Sequence, residues 1–362
     1  MSWCKTLDDP TEPAAPQNWS QTYIQEEFES LVVDKIFVTV CGIYVVLIGL
    51  LNLISVCGIM LYPGSRSASN LLLVSLTFAD LLMAFYCLPL FIMSKINWTK
   101  VYIFCNKYTC IGMWSAVILS GYGSLCALFV IAVDRYIYVA RPMYYIQRMT
   151  VSRILAVVLV MWIYIVAFAA APVRWNNFNT TEHDPFKRCN FYTNLPHYYL
   201  TTLLCKCFCL IIISTCLNIH LCLIVRRQLA GVRKMSTVSS RDAQVVVQRK
   251  SSVTRAACFM FVYAILWLPF LVVGYLIGTG TFTGKTVHVV KNLMLLLCFG
   301  NSLANAPIYS LLRPEYRAVY RIMLQTWPWN WSWALRQHFQ ISLVHRTVPS
   351  FTNLTWNFST ET

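Results

Sequence analysis

Along this 362-residue chain, polar and charged positions are confined to short intervals between long apolar runs. A bilayer hydrocarbon core of about 30 Å takes about 20 residues of helix to cross. Seven runs reach that length, at 35–60, 70–94, 108–137, 153–172, 198–225, 255–278 and 288–312. They are too long for outer-membrane barrel strands and do not alternate at period two. The pattern predicts an all-α membrane protein, a seven-transmembrane helix bundle. The first 34 residues lack a basic start followed by an apolar core, so no cleaved signal peptide is expected and the first run itself acts as the insertion signal.

Composition agrees: 57% of residues are hydrophobic and 12% charged, against about 45–50% and about 25% in soluble globular chains. A disordered chain, a coiled coil and an ordinary cytosolic enzyme are excluded. The net charge of +15 raises the question of nucleic acid, and the distribution of charge answers it. One set of connecting segments, with the tail, carries seventeen Lys and Arg against Asp242, Glu315 and Glu361. The other side carries ten and begins with an acidic segment holding Asp8, Asp9, Glu12, Glu26, Glu27, Glu29 and Asp34. Basic residues favour the cytoplasmic side, so the N-terminus is expected outside and no nucleic-acid partner is expected. The expected division is an extracellular segment 1–34, a bundle 35–312, a short amphipathic eighth helix 313–326 and a cytoplasmic tail 327–362.

Sequons at Asn18, Asn97 and Asn179 fall on the outer side and are candidate glycosylation sites; those at Asn330, Asn353 and Asn357 fall on the inner side. Most of the fifteen cysteines lie within apolar runs, where free Cys behaves as a small hydrophobe. Cys4, Cys105, Cys110 and Cys189 lie where an oxidising exterior could pair them.

Charged groups inside a membrane are costly and mark functional candidates. Here they are Asp80, Asp134-Arg135 and Lys206. No relay of acids and bases and no internal repeat of the kind transporters show is present. The six His residues lie in loops, at helix ends or in the tail rather than in a metal cluster. An enzyme is not expected, nor a cofactor beyond an allosteric sodium ion.

Motifs on all seven runs together resemble the rhodopsin-like (class A) G-protein-coupled receptors. They are Asn52 on the first, Ser75-Leu76-Thr77-Phe78-Ala79-Asp80 on the second, and Cys110 to Asp134-Arg135-Tyr136 on the third. Trp162 and Pro172 lie on the fourth, Leu266-Trp267-Leu268-Pro269 on the sixth, and Asn301-Ser302-x-x-Asn305-Ala306-Pro307-Ile308-Tyr309 on the seventh. Ala306 follows Asn305 where most members carry Pro. This, with Leu311-Leu312, Tyr316, Tyr320 and Asp184-Pro185 ahead of Cys189-Asn190-Phe191, resembles melatonin receptors. Departures from that subgroup lie at Lys206 and Cys207, near the position of a ligand-facing His, and at Pro172, in place of a ligand-binding Asn.

The resemblance implies a disulfide between Cys110 and Cys189. It also implies a switch formed by Asp134, Arg135, Tyr136, Trp267, Pro269, Asn305 and Tyr309 that couples to a heterotrimeric G protein. Asp80, Ser124, Asn301, Ser302 and Asn305 would hold sodium in the inactive state, since a carboxylate with hydroxyl and amide oxygens suits a hard cation. A hydrogen-bonded polar network is the other reading of the same residues. Arg249 stands at the sixth-helix position where some relatives carry an acid, which cannot pair with Arg135 and points to raised basal activity.

The ligand wall implied is Met113, Trp114, Val117, Phe191, Lys206, Trp267, Phe270 and Gly274, apolar and aromatic, suited to a flat or lipophilic molecule. Val117 occupies the position of the aminergic acid and Phe299 that of a retinal-binding Lys, which disfavours monoamines and a photopigment. Lys206 could meet an acidic group or snorkel to the interface. The segment 226–254 is basic and Ser-rich, suited to G-protein contact and phosphorylation. The Trp-rich stretch Trp327 to Trp333 suits a lipid surface or a disordered tail. Partners expected are the G protein, a receptor kinase, arrestin, a small-molecule ligand and membrane lipid. The location expected is the plasma membrane, with inhibitory coupling that lowers cyclic AMP. The alternatives are an orphan, constitutively active or decoy receptor, and a non-signalling seven-helix transport protein.

Overall fold

A computed structural model describes residues 21–61, 68–178, 189, 194–234, 240–282, 286–312, 321–323, 325–326, 330–331 and 333. Seven of its helices are long and apolar enough to cross a membrane. The spanning parts are Leu31–Met60, Ser69–Met93, Lys107–Ala140, Val151–Arg174, His197–Ala230, Ala257–Ile277 and Val287–Ile308, here the first to seventh spans. Among the described residues the regular structure is entirely helical.

Two of the helices run well past their apolar parts. The first starts at Gln21 rather than at 35, because Gln25, Glu26, Glu27 and Glu29 are strong helix formers and need no apolar partner to continue a helix already nucleated by the span. The sixth begins at Ser240 and the fifth runs to Lys234 for the same reason. The segment expected as a loop at 226–254 is thus largely helical. The expected eighth helix falls mostly outside the described residues, although Arg321, Ile322 and Met323 are helical.

Local signals set several boundaries. The Asn106 side chain accepts from the backbone N–H of Tyr108 at 2.9 Å and caps the third span. Pro142 opens the short helix Pro142–Arg148, and Pro89 opens Leu88–Met93. Just before Pro89 the second span widens into a π-turn, Met83–Cys87, and the third does so at Ile118–Tyr122. Such turns interrupt the regular hydrogen-bond ladder and re-aim the side chains that follow.

The third span is the most buried of the seven and the fourth the least. The fourth is pinned by Trp162, whose indole donates to Ser75 Oγ at 3.0 Å and meets Phe78 edge-on at 4.9 Å. One continuous apolar core runs through the bundle. A smaller one, Val139, Leu221, Val225 and Val253, joins the third, fifth and sixth helices near Arg135. A third unites Met323 with Ile54, Cys57 and Trp331, and the Trp331 indole donates to Met323 O at 3.0 Å. That Trp of the tail therefore folds back on Met323, which itself packs on the first span.

Candidate functional site: a polar and aromatic axis through the bundle

At one end Cys110 and Cys189 form a disulfide with Cα atoms 5.8 Å apart, which ties the segment after the fourth span to the start of the third. Cys105 is also disulfide-bonded; Cys4 lies outside the described residues. Below the disulfide, Met113, Trp114 and Val117 are buried on the third span, and Trp267, Phe270 and Gly274 on the sixth. Trp267 meets Phe270 edge-on at 6.0 Å and stacks on Tyr263 at 5.5 Å. Phe191 lies outside the described residues.

Lys206 does not join that wall. Its amine stands 4.0 Å from the centre of the Phe168 ring and 5.1 Å from that of Tyr164, both on the fourth span. Phe168 in turn stacks on Tyr199 at 4.8 Å. Lys206 thus faces the fourth span rather than the wall formed by the third and sixth. Two aromatic rings give the cation its partners, and Cys207 is the buried neighbour.

Gly121, in the π-turn of the third span, is what lets Trp267 lie where it does. A Cβ there would fall 2.0 Å from the far edge of the indole. Tyr263 donates to Gly121 O at 3.3 Å, so the sixth span is held to the third at that turn. The indole Nε1 of Trp267 is buried with no partner among the described residues. This contact was not foreseen from sequence. The only signal was a Gly eleven residues after Cys110, and a helical Gly alone does not say what approaches it.

In mid-bundle Asn305 Nδ2 donates to both Asp80 carboxylate oxygens at 3.1 and 3.0 Å, and the Ser302 hydroxyl also hydrogen-bonds Asp80. Asn301 Nδ2 reaches Ser124 Oγ at 3.5 Å, and Asn52 Nδ2 donates to Ile48 O at 3.0 Å and approaches Ser302 O at 3.4 Å. Asp80, Ser124, Asn301, Ser302, Asn305 and the adjoining Asn52 are all buried. The amide oxygens of Asn52, Asn301 and Asn305 have no donor among the described residues, so acceptors outnumber donors there around a buried carboxylate. No cluster of His, Cys, Asp or Glu able to hold a metal occurs among the described residues. The donor set here is instead one carboxylate with amide and hydroxyl oxygens, which fits a hard monovalent cation.

At the far end Arg135 pairs with Asp134 and bonds the Ser69 hydroxyl. Tyr145, on the short helix Pro142–Arg148, donates to Asp134 Oδ1 at 2.9 Å. Burial, and next the negative charge of Asp134, raise the pKa of the Tyr145 phenol above its usual 10, so it stays a donor at neutral pH. Ser69 and Tyr145 were not foreseen as parts of this site. Tyr136 turns away and packs its ring 5.7 Å from that of His220. Pro269 lies inside the sixth helix; the side chains of Tyr309 and Arg249 lie outside the described ones.

Asn97 opens the helix Asn97–Cys105. The Thr99 hydroxyl of its sequon is buried and donates to Met93 O at 2.6 Å. The Asn97 side chain lies outside the described ones. Asn18 and Asn179 lie outside the described residues.

A helix bundle with a polar axis between a disulfide-tethered end and an Arg-locked end defines a multi-pass membrane protein of receptor type. Residues 51–309 match the family described as 7 transmembrane receptor (rhodopsin family), and the chain belongs to that family. This is a receptor family rather than an enzyme family, and it carries G-protein signalling with it. The chain is 26% identical over 296 residues to a histamine H2 receptor of Cavia porcellus, covering 80% of this chain and 79% of that one. It is 25% identical to the human histamine H2 receptor over 295 residues, with 79% of each chain covered. It is 22% identical over 283 residues to an adenosine receptor A3 of Canis lupus familiaris, covering 76% of this chain and 86% of that one.

Proposed function

We propose that this chain is a plasma-membrane receptor with its N-terminus outside, which binds a flat or lipophilic ligand near Trp114, Val117 and Trp267 and activates an inhibitory G protein. The observation that carries this reading is the lock at Arg135. A guanidinium held by Asp134 and Ser69 at the end away from the disulfide is a charge that can be released to a partner. The stack of Trp267 on Tyr263, pinned at Gly121, gives the sixth span a packed element between the two ends. A ligand that favours one arrangement of this element shifts the population of the bundle.

The ligand class is argued from what the wall lacks. Some relatives carry the name of an amine receptor, but Val117, buried at the position of the aminergic acid, offers an ammonium no counter-charge. Kinship with melatonin receptors rests on Asn305-Ala306, Leu311-Leu312, Tyr316, Tyr320 and the residues around Cys189, so melatonin is one probe among several. Sodium would be held by Asp80 with oxygens of Ser124, Asn301, Ser302 and Asn305. There it would balance the carboxylate and favour the resting bundle. Arrestin and a receptor kinase would act at the basic, Ser-rich segment before the sixth span, and glycans at Asn18 and Asn179.

The test uses the full chain in nanodiscs with purified G proteins of each class. Nucleotide exchange above background, strongest with the inhibitory class and lost in Arg135→Ala, is the expected result. Equal exchange with and without Arg135 would overturn the reading.

A further inference from the structure

At the disulfide end the first, second and seventh spans bring together charged groups whose balance is uneven. Asp34 accepts from Lys95 Nζ at 2.8 Å, and it lies 2.9 Å from His288 Nε2 and 3.3 Å from Asn292 Nδ2. Three groups share that one carboxylate. Lys291, between His288 and Asn292 in sequence, is turned away from it. Its amine stands 5.6 Å from the centre of the Trp114 ring, and among the described residues it has neither an acid nor a hydrogen-bond acceptor.

The indole contact satisfies part of the charge of Lys291 but none of its three N–H donors. Asp34 sets one negative charge against the two positive charges of Lys95 and Lys291 near the outer ends of their helices, where an unbalanced charge is costly. An anion would offset the excess, and a cationic ligand would be repelled.

The surroundings add a second constraint. Trp114 meets Phe91 edge-on at 5.4 Å, and Phe91 meets Phe299 edge-on at 5.1 Å. An aromatic wall three rings long therefore runs from the amine into the bundle, across the third, second and seventh spans. An amine at the mouth with such a wall behind it matches a molecule that has one anionic head and an apolar body.

We propose that Lys291, with Lys95 beside it and Trp114, Phe91 and Phe299 as its wall, is the recognition point for an organic monocarboxylate. The proposal rests on the receptor reading and names the ligand class of that receptor. The carboxylate accepts hydrogen bonds from Lys291 Nζ, and the apolar body lies against the three rings, which are buried and must part to admit it. Lys206, already sandwiched by rings of the fourth span, takes no part.

The test is thermal melting of the full chain in neutral phosphatidylcholine nanodiscs. The probes are a panel of apolar monocarboxylates, among them indole-3-acetate, 4-phenylbutyrate and oleate, each beside its uncharged primary amide. The expected result is that at least one acid raises the melting temperature where its amide does not. Lys291→Gln should then weaken that acid by about tenfold or more, the loss of one charge-assisted contact, and Lys291→Arg should retain it. If Lys291→Gln does not fold, Lys291→Met and Lys291→Arg make the same comparison.

No difference between acid and amide in the native chain overturns the proposal, as does a difference that survives loss of Lys291. Destabilisation of the ligand-free protein by Lys291→Gln with no response to any acid also overturns it, since an acid of the chain's own N-terminal segment would then be the partner. Nucleotide exchange is read separately. Acid binding without exchange on any G protein would sink the receptor reading and leave the carboxylate site standing; exchange indifferent to the acids would do the reverse.

Discussion

Two carboxylates are buried along the axis of the bundle, and they are handled in opposite ways. Asp134 is paired with the guanidinium of Arg135 and receives the phenol of Tyr145. Asp80 receives only neutral donors, the Asn305 amide and the Ser302 hydroxyl, with three amide oxygens lacking donors among the residues around it. The first site is closed: its charges cancel within the chain, so it can change state only by breaking. The second is open, since its charge can be cancelled by an ion from outside and its state can follow that ion's concentration. On the disulfide side of both, Trp267 lies on Gly121 with no room to spare.

The largest way to break the comparison is to open the closed site. Asp134→Ala removes the carboxylate that pairs with Arg135, and loss of one member of a largely buried pair costs about 3 kcal/mol. The expected outcome is a lower melting temperature together with higher ligand-free nucleotide exchange. Exchange unchanged from the native chain would show that Arg135 is not held back by this pair. Next comes Gly121→Ala, which tests the packed layer on the disulfide side of the open site. The added methyl overlaps the indole, and overpacking of this kind costs about 1–3 kcal/mol. Melting should fall and the ligand response should shift, because Trp267 must leave its stack on Tyr263. A variant as stable as the native chain would mean that the indole has another resting place.

How far the sequence reveals these sites depends on the kind of physics involved. Apolar length alone places seven spans to within a few residues, because a bilayer fixes the length of whatever crosses it. It does not show where a helix ends once it has left the membrane. Gln21–Leu61 and Ser240–Gly278 both extend into polar sequence that no hydrophobic pattern marks. Motifs bring Asp80, Ser124, Asn301, Ser302 and Asn305 to one depth. The rotation of a side chain about its helix is another matter. Lys206 and Cys207 are neighbours in an apolar run, and only packing decides that the amine faces Phe168 while the thiol enters the core. Ser69 and Tyr145 escape notice because neither is rare or charged, and each acquires meaning only from the group it touches.

Sharpening the open site requires only a change of salt. A ligand at ten times its dissociation constant stabilises a protein by about 1.4 kcal/mol. The native chain should therefore melt higher in sodium chloride than in an equal concentration of N-methylglucamine chloride, and Asp80→Asn should abolish the difference. Keeping ionic strength constant separates occupancy from screening, which is slight for buried groups in any case. Sodium dependence that persists without Asp80 would assign the effect to another site and reduce the mid-bundle cluster to a hydrogen-bonded network.

The smallest change bears on the closed site from its rim. Tyr145→Phe removes one hydroxyl and leaves the ring against Tyr138, so Asp134 and Arg135 stay paired while one donor to the carboxylate is lost. A single hydrogen bond is worth about 1 kcal/mol net. Ligand-free exchange should therefore rise by a factor of about five, well below the effect of Asp134→Ala, and the two changes together should add nothing beyond Asp134→Ala alone, since the hydroxyl acts through that carboxylate. The native phenol also supplies an internal check. With its pKa above 10, it remains protonated from pH 6 to 9, so the ratio of native to Tyr145→Phe exchange should be flat across that range. A ratio that moves with pH would mean that the phenol ionises within it, and that the bond to Asp134 is not what holds the short helix in place.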